Sequence, residues 1–189
     1  VTQDATTAPF HDLAVAPPGP PPSEAQRGLA PDVAARIARG DAHEAVLDHL
    51  VEAVHAAFPA YAWTGIYVTR GDALELGPFR GPDSPHHRIR IGTGGVGAEG
   101  ICGWVAAHGV PQVIPDVNTD PRYLMCSASI RSEIVVPIAG EGGRVLGVID
   151  IDSETPALFT ATDLSILAEL ARLIAPTFPG SGSTPDNRS

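Results

Sequence analysis

Two pairs of short alternating segments, each pair joined by only a few residues, restrict the fold of this chain more than any other feature. Trp63–Thr69 and Leu74–Arg80 flank Arg70-Gly71-Asp72, while Glu133–Ile138 and Arg144–Asp152 flank Gly140-Glu141-Gly142-Gly143. Each segment alternates apolar with polar or small residues, the period of a strand. So short a link can reverse a strand, but a parallel return needs a crossover of a dozen residues or more. The sheet is therefore expected to be mainly antiparallel, with Arg88–Ile91 and Gln112–Val117 bringing the strands to six.

Helical periodicity occupies the intervals. Val46, Leu47, Leu50, Val51, Val54 and Phe58 recur at helical spacing behind Asp41 and Glu44, which resemble a capping box. A shorter helix is expected over Asp32–Gly40, ended by its glycine, and another over Ile101–His108, ended by Gly109. Thr160-Ala161-Thr162-Asp163 caps a last helix that carries Leu164, Leu167, Ala168, Ala171 and Ile174 on one face. Helices, three strands, helix, three strands, helix make an α+β domain, a six-stranded sheet with helices packed on it.

Composition sets the limits of that domain. Residues 1–31 hold seven of the nineteen prolines, so a proline-rich disordered extension is expected there, followed by one domain over 32–178 and a flexible tail over 179–189. A net charge of −10 opposes binding to nucleic acid and to anionic membranes. Neither a signal-peptide pattern nor an apolar run of membrane-spanning length is read, so the chain is expected to be cytoplasmic, with both cysteines as free thiols.

Gly92-Thr93-Gly94-Gly95-Val96-Gly97 satisfies the dinucleotide-binding spacing, and Asp116 stands where a ribose ligand belongs. The strand before it, Arg88-Ile89-Arg90-Ile91, alternates as a half-exposed strand does, and the helix after it is short. Nucleotide binding is not expected.

The chemistry lies in two cysteines and a set of carboxylates. Cys102 opens a helix, whose dipole favours thiolate, and Cys126 sits in a loop of small polar residues. In Val148-Ile149-Asp150-Ile151-Asp152, alternation sends both aspartates to one face, about 7 Å apart, and Glu133 on the neighbouring strand can join them. Such a group near a core demands a cation, donor hydrogens or a ligand ammonium. The nitrogen donors in reach of a metal reading are the adjacent His86 and His87, whose side chains point apart, so no metal site is expected and these histidines are expected to be solvated.

Trp63-Thr64-Gly65-Ile66-Tyr67, Leu76-Gly77-Pro78-Phe79-Arg80-Gly81, Cys102-Gly103, Ser132-Glu133-Ile134-Val135-Val136-Pro137 and Gly147-Val148-Ile149-Asp150-Ile151-Asp152-Ser153 resemble, in the same order, motifs of the GAF-fold free methionine-(R)-sulfoxide reductases. The resemblance implies that Trp63 and Tyr67 box the substrate, that Glu133, Asp150 and Asp152 hold its ammonium and sulfoxide groups, and that Cys126 attacks while Cys102 resolves. It implies free methionine sulfoxide as substrate, no bound cofactor, a thioredoxin-like dithiol as reductant, and compatibility with a homodimer. The family has a third cysteine before the Arg-Ile strand; His86 or His87 stands there in this chain, so recycling is expected to fall to Cys102. A non-catalytic GAF sensor, binding a small ligand or switching through its thiols, is the competing expectation. It accords less well with a chain in which no output domain is read.

Overall fold

The computed structural model describes residues 16–92 and 99–179. Within them lie helices α1 (Glu24–Ala38), α2 (His43–Ala57), α3 (Gly100–His108) and α4 (Ala161–Ile174). The strands are β1 (Trp63–Arg70), β2 (Ala73–Arg80), β3 (Arg88–Arg90), β4 (Gln112–Ile114), β5 (Ser132–Ala139) and β6 (Val145–Ser153). They form one sheet in the order β3-β2-β1-β6-β5-β4, every adjacent pair antiparallel. The two hairpins stand where the short links place them. Their union is the pairing of β1 with β6, which are remote in sequence.

The sheet is covered on both faces. Ile66 and Val68 of β1, Ile134, Val136 and Ile138 of β5, and Ile149 and Ile151 of β6 pack with buried side chains of α1, α2 and α4. On the other face, Tyr67 of β1, Val135 of β5 and Val148 of β6 cluster with Ile101, Cys102 and Val105 of α3. Every residue of β6 is buried, so this strand is the spine of both cores.

Four local expectations change. The first helix begins at Glu24 instead of Asp32, on a capping box in which Ser23 Oγ accepts from the Gln26 N–H at 3.2 Å and the Gln26 side chain answers at 2.8 Å. It runs through Pro31. An interior proline costs about 3 kcal/mol, but Leu29 and Val33, buried against α2 and α4, return roughly 1.5–3 kcal/mol each. Residues 16–22 carry no helix or strand, with Pro17 O accepting from the Ala161 N–H at 2.8 Å and Pro20 O from Thr162 Oγ1 at 2.9 Å. This segment therefore supplies acceptors to the first turn of α4. The rest of the proline-rich stretch, 1–15, lies outside the described residues.

Asp41 does not cap α2: its carboxylate pairs with Arg36 and Arg39 at 3.3 and 3.4 Å, and Ala42 takes the N-cap position without a side-chain bond. β4 ends at Ile114 instead of Val117, since Pro115 follows and Asp116 turns the chain by accepting from the Asn118 N–H at 3.1 Å. That is the aspartate of the dinucleotide spacing, here used as a turn cap. Most of the glycine loop, 93–98, lies outside the described residues.

Candidate active site

Register assembles the site. Trp63 pairs with Asp152 and Gly65 with Asp150 across β1 and β6, and Glu133 pairs with Asp152 across β5 and β6. Residues directly opposite share a face, so Trp63, Tyr67, Glu133, Asp150 and Asp152 all stand on the α3 side. Gly65 makes room for the indole: a Cβ there would lie 2.2 Å from a Trp63 ring carbon. Trp63 Nε1 donates to Pro82 O at 3.1 Å, and its ring stacks on Phe79 at 5.8 Å between centroids. Tyr67 donates to His86 O at 2.9 Å and lies 3.4 Å from Ser84 Oγ.

Part of this set borders a cavity of about 110 Å³. Trp63, Tyr67, Ser84, Cys126, Asp150 and Asp152 line it. Cys102 and Glu133 do not. Both are buried beside it, and the ligand atoms of Cys102, Glu133 and Asp150 are all within 4.8 Å of one another. A thiol and two carboxylates at that spacing can share protons or hold a cation. Neither His86 nor His87 belongs to such a group among the described residues.

Electrostatics decide what this cluster is at rest. Burial, then mutual repulsion, pushes Glu133 and Asp152 well above the ordinary carboxylate range. Asp150 rises to about 7, chiefly by burial, against hydrogen bonds from Cys102 and the Ile151 N–H. Three such carboxyls cannot all ionise near pH 7, so the cluster keeps protons. One oxygen, Asp150 Oδ1, is buried with no hydrogen-bond partner, a vacancy for a donor.

The thiols do not behave as their sequence positions imply. Cys102 stands in the first turn of α3, yet burial and the charges of Asp150 and Glu133 raise its pKa. A helix terminus contributes about half an elementary charge, which total burial beside carboxylates outweighs. Cys126 is also pushed up, by burial and then by Asp152, Asp150 and Glu133. Both are therefore neutral thiols near pH 7.

Two struts absent from the sequence reading hold the Cys126 loop. Arg122 donates through Nε to Asp120 Oδ1 at 2.9 Å and through Nη2 to Asp120 Oδ2 at 2.6 Å and Gln112 Oε1 at 3.0 Å, with its guanidinium 4.9 Å above the Trp104 ring. His86, expected to be solvated, donates through Nε2 to Met125 O at 3.1 Å, while His87 stays exposed near Asp83. Leu124 rests on the start of α3, its Cδ1 2.9 Å from where a Cβ on Gly100 would stand. An Asp-x-Arg signal for the first strut exists in the sequence; the histidine contact spans 39 residues and leaves none.

The GAF domain family model matches residues 42–177. The free methionine-R-sulfoxide reductase of Saccharomyces cerevisiae is 40% identical over 115 residues, a match spanning 59% of this chain and 60% of the yeast protein's length. That of Escherichia coli is 34% identical over 119 residues, 61% of this chain and 67% of its own length. The structure of free methionine-R-sulfoxide reductase from Neisseria meningitidis in complex with its substrate superposes with a TM-score of 0.73 at 34% identity, covering 89% of this chain and 96% of that one. Fold, family model and these relatives agree: the chain belongs to the GAF domain family and, within it, to the free methionine-R-sulfoxide reductases.

Proposed function

We propose that this protein reduces free methionine-R-sulfoxide to methionine, with Cys126 as nucleophile. The observation that carries the reading is that Cys126 shares one aromatic-walled cavity with the buried Asp150 and Asp152, and that Asp150 Oδ1 has no hydrogen-bond partner there. A free amino acid supplies a cation. Its ammonium, taken by Asp150 and Asp152 with Glu133 next to them, offsets the negative field that adds to burial in holding the Cys126 thiol neutral, so the substrate activates its own nucleophile. Trp63 and Tyr67 wall the methyl sulfoxide. An N-acylated methionine sulfoxide has no ammonium and is expected to be turned over poorly.

The Cys126 sulfur attacks the sulfoxide sulfur, the oxygen passes to cysteine, and methionine leaves with Cys126 as sulfenic acid. Cys102 then displaces water to form a disulfide, which a thioredoxin-like dithiol in the cytoplasm opens. Support for Cys102 as resolver is the seat of Leu124 on Gly100, which brings the two cysteine-bearing segments together two residues from each sulfur. No bound cofactor is needed, since the thiols supply both electrons.

The test is turnover of free L-methionine-R-sulfoxide with thioredoxin. Cys126→Ser should lose at least about a hundredfold in kcat. Cys102→Ser should release one methionine per chain in a single turnover and then stall. An inactive unmutated protein sinks the reading, and activity that survives Cys126→Ser but not Cys102→Ser reverses the two roles.

A further inference from the structure

Cys102 puts a thiol among the buried carboxyls, a kind of group that an ammonium does not call for. It is 3% exposed, and its sulfur stands within 4.8 Å of a carboxylate oxygen of Glu133 and of Asp150, which are 5% and 6% exposed. Three separate elements bring these atoms together: Cys102 comes from the first turn of α3, Glu133 from β5 and Asp150 from β6. The start of α3 sits closely on β3, since a Cβ on Gly103 would lie 2.3 Å from Arg90 O, so the sulfur is held in place. Groups carried by packed helices and strands are positioned more precisely than groups on loops.

A second observation points to what the cluster takes. Asp150 Oδ1 is buried and has no hydrogen-bond partner, so the cluster holds an oxygen that the resting protein leaves unsatisfied. Asp150 also lines the cavity, which gives a small ion a way in. The donor set selects the ion. Carboxylates alone suit Mg²⁺ or Ca²⁺, but a thiolate beside them suits Zn²⁺, which binds cysteine sulfur and carboxylate oxygen together. Tetrahedral ligand atoms around zinc stand roughly 3.5 Å apart, so closing the set asks for side-chain shifts of roughly 1 Å. A dication displaces the protons of the three groups to solvent and leaves them a single negative charge between them, where a monovalent ion leaves two.

We propose that Cys102, Glu133 and Asp150 form a binding site for a thiophilic divalent cation, with Zn²⁺ as the fitting ion, and that its occupancy inhibits the protein by withdrawing Asp150 from the substrate and Cys102 from the disulfide. Binding of the ion stands independently of the reductase reading; the inhibition rests on it.

The test is a titration of the reduced, metal-free full chain with Co²⁺, which accepts the same ligands as Zn²⁺ and shows a thiolate-to-cobalt absorption band in the near ultraviolet. One Co²⁺ per chain should raise the band, Zn²⁺ should abolish it by displacement, and excess Mg²⁺ should not. Cys102→Ser should lose the band and Cys126→Ser should keep it. Glu133→Gln should weaken Zn²⁺ at least about tenfold, the smallest loss that removing even an outer partner of a metal brings. Absence of the band in the unmutated chain overturns the proposal, as does a band that survives Cys102→Ser or vanishes in Cys126→Ser, or a Zn²⁺ affinity unchanged in Glu133→Gln. Inhibition is read in a single turnover with no added dithiol to chelate the metal: saturating Zn²⁺ should suppress methionine release, and undiminished release with zinc bound overturns the inhibitory role. A chain that binds Co²⁺ through Cys102 yet never reduces the sulfoxide overturns the reductase reading and leaves the metal site standing; an active chain without the band overturns the metal site alone.

Discussion

Asp150 concentrates the tension between stability and chemistry, because its carboxyl is buried and its pKa is raised to about 7. A carboxyl whose folded pKa exceeds its unfolded value of about 4 contributes stability that is full below pH 4 and lost as pH rises through the folded value. The ligand-free protein is therefore expected to unfold at lower denaturant concentration at pH 8 than at pH 5. Asp150→Asn should flatten that difference, and equilibrium urea titrations at the two pH values read it. Free methionine, bringing its ammonium, should restore stability chiefly at pH 8. Gly65 tests the opposite wall. Gly65→Ala puts a methyl where the Trp63 indole lies, and such overpacking costs about 1–3 kcal/mol; KM should rise more than kcat falls. The shared face of Asp150 and Asp152 is legible from alternation alone. The raised thiol values are not, since they depend on burial and on Glu133 arriving from another strand.

At the scale of elements, capping and periodicity read differently. The interiors of α2 and α4 follow from their apolar spacing, and Thr160 with Asp163 caps α4 as expected. The start of α1 does not, because proline density in 16–31 outweighs the Ser23 and Gln26 signal to a reader who cannot see Leu29 and Val33 find their partners. Ser23→Ala should cost about 1 kcal/mol, and hydrogen exchange should quicken first in the opening turn of α1. The loop of Cys126 rests on Arg122, whose side chain and that of Asp120 are only 14% and 12% exposed. Removing one partner of a buried pair costs roughly 3–5 kcal/mol, less for one that touches water. Arg122→Ala should accordingly destabilise by about 2–3 kcal/mol and speed exchange across residues 120–130.

For the molecule as a whole, β6 is the strand on which both cores and the site depend. Ile149→Ala opens a hole on the face opposite Asp150 and should cost about 2–5 kcal/mol, with fluorescence and circular dichroism reporting one common transition. Sequence by itself determined the hairpins, the antiparallel sheet, the helical faces and the pairing of Asp150 with Asp152, because each is a matter of spacing within a few residues. Tertiary structure alone decided that β1 lies against β6, that Cys126 lines the cavity, and that Cys102, outside its lining, stands within 4.8 Å of Glu133 and Asp150. The reason is physical: pattern along a chain records which side of an element is apolar, but charge, proton affinity and reach are set by what other elements bring within a few ångströms, and no local period records that.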